Sequence, residues 1–512
     1  MKIRKLVAIL LALTLTLCSF SIAAAEEHPG GTVVYGLSAE PTHLEPCVDN
    51  GTAARAVVWT MYEGLFAYDE NGLVTNLLCD SYTVSEDGTV YTFKLIDAKF
   101  HNGDPVTAED VKYSFERVKN PEMGAFEYQN MQVIEEMTVI DDKTLEVKLA
   151  NPLAPFVNYL ANKFMVIVSK DWCEAHDGDI SMDPMGSGPF RFVEWMAGQE
   201  IVVERFEDYH DPKYPMADEI VFKFYPDGQA RVNALQTNVV DIIEYVDYSS
   251  FETLNADENV ICDIVEGPFM YLCFNMENEV LSNPLVRQAI SYGLRREDVR
   301  DTAFCGGGTI MFGTPFTAAQ LGYSEEYANY YEYSPEKARE LLAEAGYPDG
   351  VEFKLLTSST YAFFEQSAIA VQASLKECGI NITLEAPDWS TYNARLRSGE
   401  YDCLINGYLA NVSDPDWISA LYADGANYNT GHFYNERFEE LLVAGRIATS
   451  DEERQAIYEE CQKILIEESP HCYILWRPQA YAYGTDVRGF HNMPNGSTYN
   501  SCYLLRQAWI EK

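Results

Sequence analysis

Short alternating strands and fully punctuated helices share this chain, but not one for one, and that irregular mixture narrows the fold. "GTVVYGL" at 31–37, "GTVYTFKLI" at 88–96 and "KTLEVKLA" at 143–150 alternate apolar with polar residues, as half-buried strands do. In the second, Val90, Tyr91 and Phe93 carry the pattern behind a hairpin turn at Asp87-Gly88. "GPFRFVEWMAGQEIVVERF" reads as two strands joined around Ala197-Gly198. The helices declare their ends. In "VTAEDVKYSFERVKNP", Thr107 and Asp110 form a capping box, Val111, Ser114, Phe115 and Val118 share a face, and Pro121 follows the end. "SPEKARELLAEAGYPDG" has Ser334 as N-cap, Pro335 at the first position and Gly346 as the stop, and Ser450 with Glu453 repeats that logic. Without strict βαβ alternation the expectation is an α/β architecture with mixed sheets, and 512 residues exceed what one core organises, so at least two lobes are expected.

The first 25 residues read as an export signal. Lys2, Arg4 and Lys5 precede the apolar run Leu6–Leu17, and Ala23-Ala24-Ala25 supplies the small-residue cleavage site. Cys18, ending "LTLC", offers an alternative as the lipidated residue of a bacterial lipoprotein. No later segment has the ~20 apolar residues that a membrane span requires, so the mature chain is expected to be exported and not membrane-spanning. The 79 acidic residues outnumber the 36 basic ones, three of which lie in the leader, and that balance argues against nucleic acid and anionic lipid as partners. Twelve cysteines, Cys18 among them, include no C-x-x-C; most sit in apolar surroundings such as "MYLCFN" and read as small buried side chains.

Catalytic signatures are missing. There is no HExxH, Walker loop or G-x-S-x-G, and "GSGPF" at 186–190 lacks the elbow spacing. The eight histidines are scattered singly, with no helix-face metal spacing. No cofactor or metal and no enzymatic activity are expected.

The run "NGLVTNLLCDSYTVSEDGTVYTFKLIDAKFHNGDPVTAEDVKYSFERV" at 71–118 closely resembles the signature segment of the peptide/nickel class of solute-binding proteins, family 5, which feed ABC importers. "GSGPFRFVEW", "NPLVRQAISYGLRRED", "SPEKARELLAEAGYPDG" and "WSTYNARLRSGEYD" agree in order, so the resemblance spans nearly all of the mature chain. It implies a two-lobed periplasmic-binding-protein-like fold with two hinge crossings and an extra subdomain in lobe one. The expected division is 1–25 signal peptide; 26–48, 186–267 and 485–512 lobe one; 49–185 its subdomain; and 268–484 lobe two. The crossings are expected near Glu266–Phe269 and Tyr481–Gly484, where "EGPF" and "YAYGT" break the strand patterns. The implied partners are a small peptide or other polar solute and the transmembrane subunits of an ABC permease, with the protein a monomer.

The resemblance also directs attention to "GYLANVSDPDW" at 407–417. In peptide-binding members this is a strand edge that pairs with the ligand backbone. Carried over, Gly407 and Leu409 offer main-chain groups, Tyr408 and Trp417 are aromatic walls, and Glu40 and Thr42 face the ligand from lobe one. Peptide binders place an acid where Asn411 stands, for the peptide ammonium; Asp414 or Asp416 is the candidate substitute. The position that carries an arginine in some oligopeptide binders is Ile405, and "TSSTYAFF" at 357–364 has none either. The ligand classes left open are a peptide, an oligosaccharide or neutral polar solute, and a nickel chelate, for which only His43 and His432 are placed. Rival functions are a secreted hydrolase and a receptor that reports a bound signal peptide without transport.

Overall fold

The computed structural model describes residues 28–48, 51–69, 71–318, 320–410, 412–493 and 498–511. The leader, with Cys18 and the Ala23–Ala25 boundary, lies outside them, as does Asn411.

Eleven strands form one sheet: β1 (Thr32–Leu37), β2 (Phe190–Met196), β3 (Glu200–Arg205), β4 (Glu219–Phe224), β5 (Ile242–Ile243), β6 (Val260–Phe274), β7 (Thr309–Ile310), β8 (Val351–Leu356), β9 (Ile380–Glu385), β10 (Cys403–Tyr408) and β11 (His471–Gly484). Their order is β9-β8-β10-β6-β11-β5-β1-β4-β3-β2, with β7 paired to β11. β1 runs parallel to β4 and β5, and β8 runs parallel to β9 and β10; the other pairings are antiparallel. The sheet is therefore mixed, with one parallel patch in each half.

The long strands β6 and β11 join the halves. They pair from Val260 opposite Gly484 to Cys273 opposite His471, and the register breaks between Glu266 and Phe269. Sequence explains the break, because Pro268 and Pro478 withhold ladder donors at the same level. Gly267 is needed as well, since a Cβ there would lie 2.8 Å from that of Gln479. The first crossing thus bends within the expected "EGPF". The second bends opposite it, at Trp476–Pro478; Tyr481–Gly484, the expected position, is regular ladder against Val260–Asp263. A Tyr-Ala-Tyr-Gly run continues a buried strand, whereas a proline interrupts its donors.

Residues 79–149 build a separate four-stranded sheet, in the order Cys79–Val84, Val90–Leu95, Thr144–Leu149 and Ile134–Asp141. Helix α1 (Ala108–Val118) covers it behind the expected capping box, in which Thr107 and Asp110 bond reciprocally. Helix α2 (Phe156–Leu160) follows. In the β6–β10 half the helices include α3 (Pro335–Glu344), α4 (Ala362–Lys376), α5 (Trp389–Ser398), α6 (Glu436–Ile447) and α7 (Asp451–Glu468). Ser334 and Ser450 cap α3 and α7 as their sequences require.

The β1 half has its own core of Val33, Tyr35, Leu37, Phe190, Ile201 and Phe222. The core of the four-stranded sheet, with Phe93, Phe115 and Phe156, is continuous with that of the β10 half. All cysteines among the described residues are free thiols, and all but Cys262 and Cys305 are buried. Burial pushes the Cys47 thiol up to about 12 and Cys273 up to about 11, so they are inert packing groups. No described helix is long and apolar enough to cross a membrane.

Candidate ligand-binding crevice

In open α/β sheets a ligand sits beyond the carboxyl ends of the parallel strands. Here the two parallel patches aim those ends at one place. β5 ends with Ile243 opposite Ala482 of β11, and β10 ends with Tyr408 opposite Phe269, itself opposite Trp476. Both therefore run from opposite directions toward the bend at Trp476–Pro478. The candidate crevice is accordingly placed at this bend, where Ser38 and Glu244 follow β1 and β5, and Thr357 and Leu409 follow β8 and β10.

Its most telling wall is the edge of β10. β8 pairs with β10 only at Cys403 and Leu404, so from Ile405 onward that edge has no strand neighbour. The two-residue period turns the main chain of Ile405, Gly407 and Leu409 away from β6. Tyr392 of α5 donates to the Ile405 carbonyl at 2.8 Å, and the Gly407 amide donates to Asn406 Oδ1 at 2.9 Å. Gly407 and Leu409 follow the last β8–β10 pair, at Leu404, so no strand of the described sheet pairs with them on that side. Behind this edge Tyr408 packs on Phe269 at 5.8 Å and edge-on to Tyr428 at 5.2 Å.

Trp417 is placed differently from the wall expected of it. It is 4% exposed and wedged among Phe269, Phe316 and Tyr408, with its indole N–H buried and unpartnered among the described residues. Tyr408 is also buried, at 7% exposed. Both rings support the edge from within.

Asp414 and Asp416 are not available to a ligand ammonium. Arg454 of α7 grips Asp414 with both arms at 2.8 and 2.7 Å, and Arg446 of α6 bonds both oxygens of Asp416 at 3.0 Å. Tyr159 of α2 donates to Asp416, and Asn158 reaches Asp414 at 3.3 Å. The Asp-Pro-Asp turn thus ties the β10 half to the 49–185 region, and its charges are spent there.

On the β1 side, Glu40 is exposed, and its Oε1 takes the Trp195 Nε1–H at 2.9 Å and the Gly198 amide at 3.0 Å, so it braces the β2–β3 hairpin. Thr42 is exposed. Glu244, which sequence reading did not single out, is buried and receives Ser38 through its amide at 2.9 Å and its hydroxyl at 2.6 Å. Also missed was Arg477, in the bend itself. Its guanidinium lies 5.0 Å from the Phe363 ring centroid and hydrogen-bonds Tyr248, whose ring packs 5.9 Å from Phe363. Burial raises the Tyr248 hydroxyl pKa while Arg477 opposes that rise. Exposed Tyr361 is within electrostatic reach of Tyr245 and Arg477. The available sequence signal was a single Lys or Arg inside the mostly apolar "HCYILWRPQAYAYG".

A separate surface groove of about 800 Å³ lies among His43, Glu45, Tyr113, Arg117 and Asp179. Its arginine is already held by Glu45, Nη2 to Oε2 at 2.8 Å. Among the described residues no three His, Cys, Asp or Glu side chains gather as a metal site, and His43 and His432 belong to none.

Residues 74–430 match the family described as bacterial extracellular solute-binding proteins, family 5 Middle. The chain belongs to that family. The glutathione-binding protein GsiB of Salmonella typhi is 29% identical over 492 residues, which span 93% of this chain and 94% of the relative. Among solved structures, the PBP AgaA from A. tumefaciens R10, in complex with agropinic acid, aligns with a TM-score of 0.85 and 38% identity over 94% of this chain and 99% of its own. DppA from Helicobacter pylori, in complex with the peptide STSA, gives 0.81 and 26% identity over 94% and 98%. This family 5 protein is an extracytoplasmic solute-binding component of an ABC importer, and its neighbours are two-lobed periplasmic binding proteins. Its relatives bind and deliver rather than catalyse, and the hydrolase reading falls with that.

Proposed function

We propose that this protein captures a short peptide or peptide-like solute in the crevice at the Trp476–Pro478 bend and presents the closed form to its permease. The observation that carries this reading is the unpaired edge of β10 from Ile405 to Leu409, where two parallel-strand ends converge. An extended ligand can add itself there as a strand, taking main-chain bonds from Gly407 and Leu409. Glu40 and Thr42 approach from the β1 side, Tyr408 stiffens the edge, and Asn411 lies just beyond it in the sequence. A ligand that touches both lobes favours the closed form by the difference in contacts. The names of the relatives support small amino-acid-like ligands: glutathione, the peptide STSA and agropinic acid.

The lobes are proposed as 26–48, 186–267 and 478–512 for the first, with 49–185 as its subdomain, and 268–477 for the second, the last boundary moved from 484 to the bend because Tyr481 and Tyr483 pack in the core of the β1 half. The mature protein acts as a monomer, either released at Ala25 or anchored through Cys18. Native mass spectrometry of the protein as purified, followed by denaturing release, tests the ligand class. Peptide or amino-acid-conjugate masses are expected. A hexose ladder or a metal complex would overturn the reading.

A further inference from the structure

Two side chains stand at the start of the β10 edge, and they hold it in different ways. Past the last β8–β10 pair at Leu404, the Tyr392 hydroxyl donates to the Ile405 carbonyl at 2.8 Å, and the Gly407 amide donates to Asn406 Oδ1 at 2.9 Å. A strand added to an edge sets its own N–H groups on carbonyls and its own carbonyls on amides. Tyr392 stands in for the first of those groups and Asn406 for the second. Their freedom differs. Tyr392 is fully buried, stacked on Trp389 at 5.0 Å and packed on Phe364 at 5.9 Å, so its hydroxyl is fixed. Asn406 is half-buried, and its bond to the next residue's amide is a local one that a single χ1 rotation breaks. Its Nδ2 donates to the Tyr271 hydroxyl at 3.3 Å, which is long for a hydrogen bond.

We infer that Asn406 is a placeholder, displaced from the Gly407 amide by a carbonyl or carboxylate oxygen of the bound solute, while Tyr392 closes the step before it. The inference rests on the reading of the β10 edge as the ligand seat, and it deepens that reading in two ways. First, the bound chain has its first main-chain partner at Gly407 and runs on toward Leu409, because the Ile405 carbonyl stays with Tyr392. Second, Asn406 sets the affinity at that partner. Each binding event breaks a bond that the empty protein makes, and one neutral hydrogen bond exchanged for another gains little. A solute that makes only this contact is therefore held weakly, and contacts with the β1 half decide which solutes stay.

The test takes the full mature protein and a panel of dipeptides and tripeptides, with calorimetry for affinity and thermal unfolding without peptide for folding. Asn406→Ala leaves the Gly407 amide to water and should tighten the best-binding panel peptide about fivefold, the worth of one neutral hydrogen bond. Hydrogen exchange resolved to single residues adds a readout that a merely structural role would not move. Without peptide the Gly407 amide should exchange about fivefold faster in Asn406→Ala than in the parent, and saturating peptide should bring both to one slower rate. Unchanged or weaker binding by Asn406→Ala, or a Gly407 rate that the peptide does not slow, would overturn the assignment. If Leu409→Pro weakens the peptide and Asn406→Ala leaves it unaltered, the edge reading stands and Asn406 loses its role. If neither substitution changes binding, or no panel peptide binds, the edge reading fails and takes the assignment with it. Should Asn406→Ala not fold, a crystal structure of the parent with that peptide decides: a peptide oxygen about 3 Å from the Gly407 amide with Asn406 turned away is expected, and Asn406 still on the amide would overturn the assignment.

Discussion

His471 shows how far a side chain's chemistry is set by where the fold puts it. Its Nδ1 lies 2.8 Å from the Tyr422 hydroxyl and its ring 4.4 Å from that of Tyr271, in the core of the β10 half. Burial pushes its pKa down to about 3, and that of His101 down to about 4. Both are neutral in the fold and take up a proton on unfolding. Their stabilising effect is therefore complete above pH 6.5 and is lost as pH falls toward 4 and 3. His471→Gln should reduce the slope of unfolding free energy between pH 6 and 4 by about 1.4 kcal/mol per pH unit, measured by urea titration; an unchanged slope would show that His471 protonates in the native state. Two other residues separate support from contact. Trp417→Ala should cost about 3–5 kcal/mol of stability, because it empties a buried ring site. Leu409→Pro removes an outward amide beyond the last β6–β10 pair, so calorimetry should find affinity for the bound solute reduced about tenfold with little change in melting temperature. Equal loss of both would place Leu409 in the scaffold.

The Asp-Pro-Asp turn binds distant elements together. Asp414 with Arg454, and Asp416 with Arg446 and Tyr159, connect α7, α6 and α2. Arg454→Gln leaves the buried Asp414 charge without its bidentate partner and should destabilise by about 3–5 kcal/mol in a denaturant titration; a change under about 1 kcal/mol would mean that the pair contributes little. Sequence reading offered Asp414 or Asp416 to a ligand ammonium, whereas the segment opens a short 3-10 helix, Pro415–Ile418, capped by Asp414. What it could not supply were partners 30, 40 and 257 positions away, since pairing at that distance has no local signature. Locally determined features were legible for the opposite reason. The Thr107–Asp110 box, the Ser334 and Ser450 caps and the β2–β3 hairpin depend on contacts within a few residues, and each is where its residues require it. The "EGPF" break was readable because glycine and proline act on the backbone itself. Tyr481–Gly484 misled because a single strand-terminal glycine looks like a break even where neighbours on both sides keep the ladder whole.

At the scale of the molecule, two parallel patches of opposite origin are made to face each other by the two strands that cross between them. That arrangement explains why the proposed cleft draws on such scattered sequence: 38–42, 244–248, 357–363, 405–409 and 476–478. The family resemblance located the β10 edge, because an edge belongs to the scaffold. It sought an arginine at Ile405 and in Thr357–Phe364 and found none, whereas Arg477 reaches Phe363 from a different strand. The contact of α2 with the Asp-Pro-Asp segment further links the 49–185 region to the half that carries β10.

The most direct test of capture between the lobes is hydrogen exchange read by mass spectrometry, with and without a saturating short peptide or amino-acid conjugate. The account predicts slowed exchange together in 242–248, 357–364, 403–410 and 476–480: one segment on the β1 side, two on the β10 side and one in the bend. Protection confined to one lobe, or centred on the groove at His43 and Arg117, would contradict it.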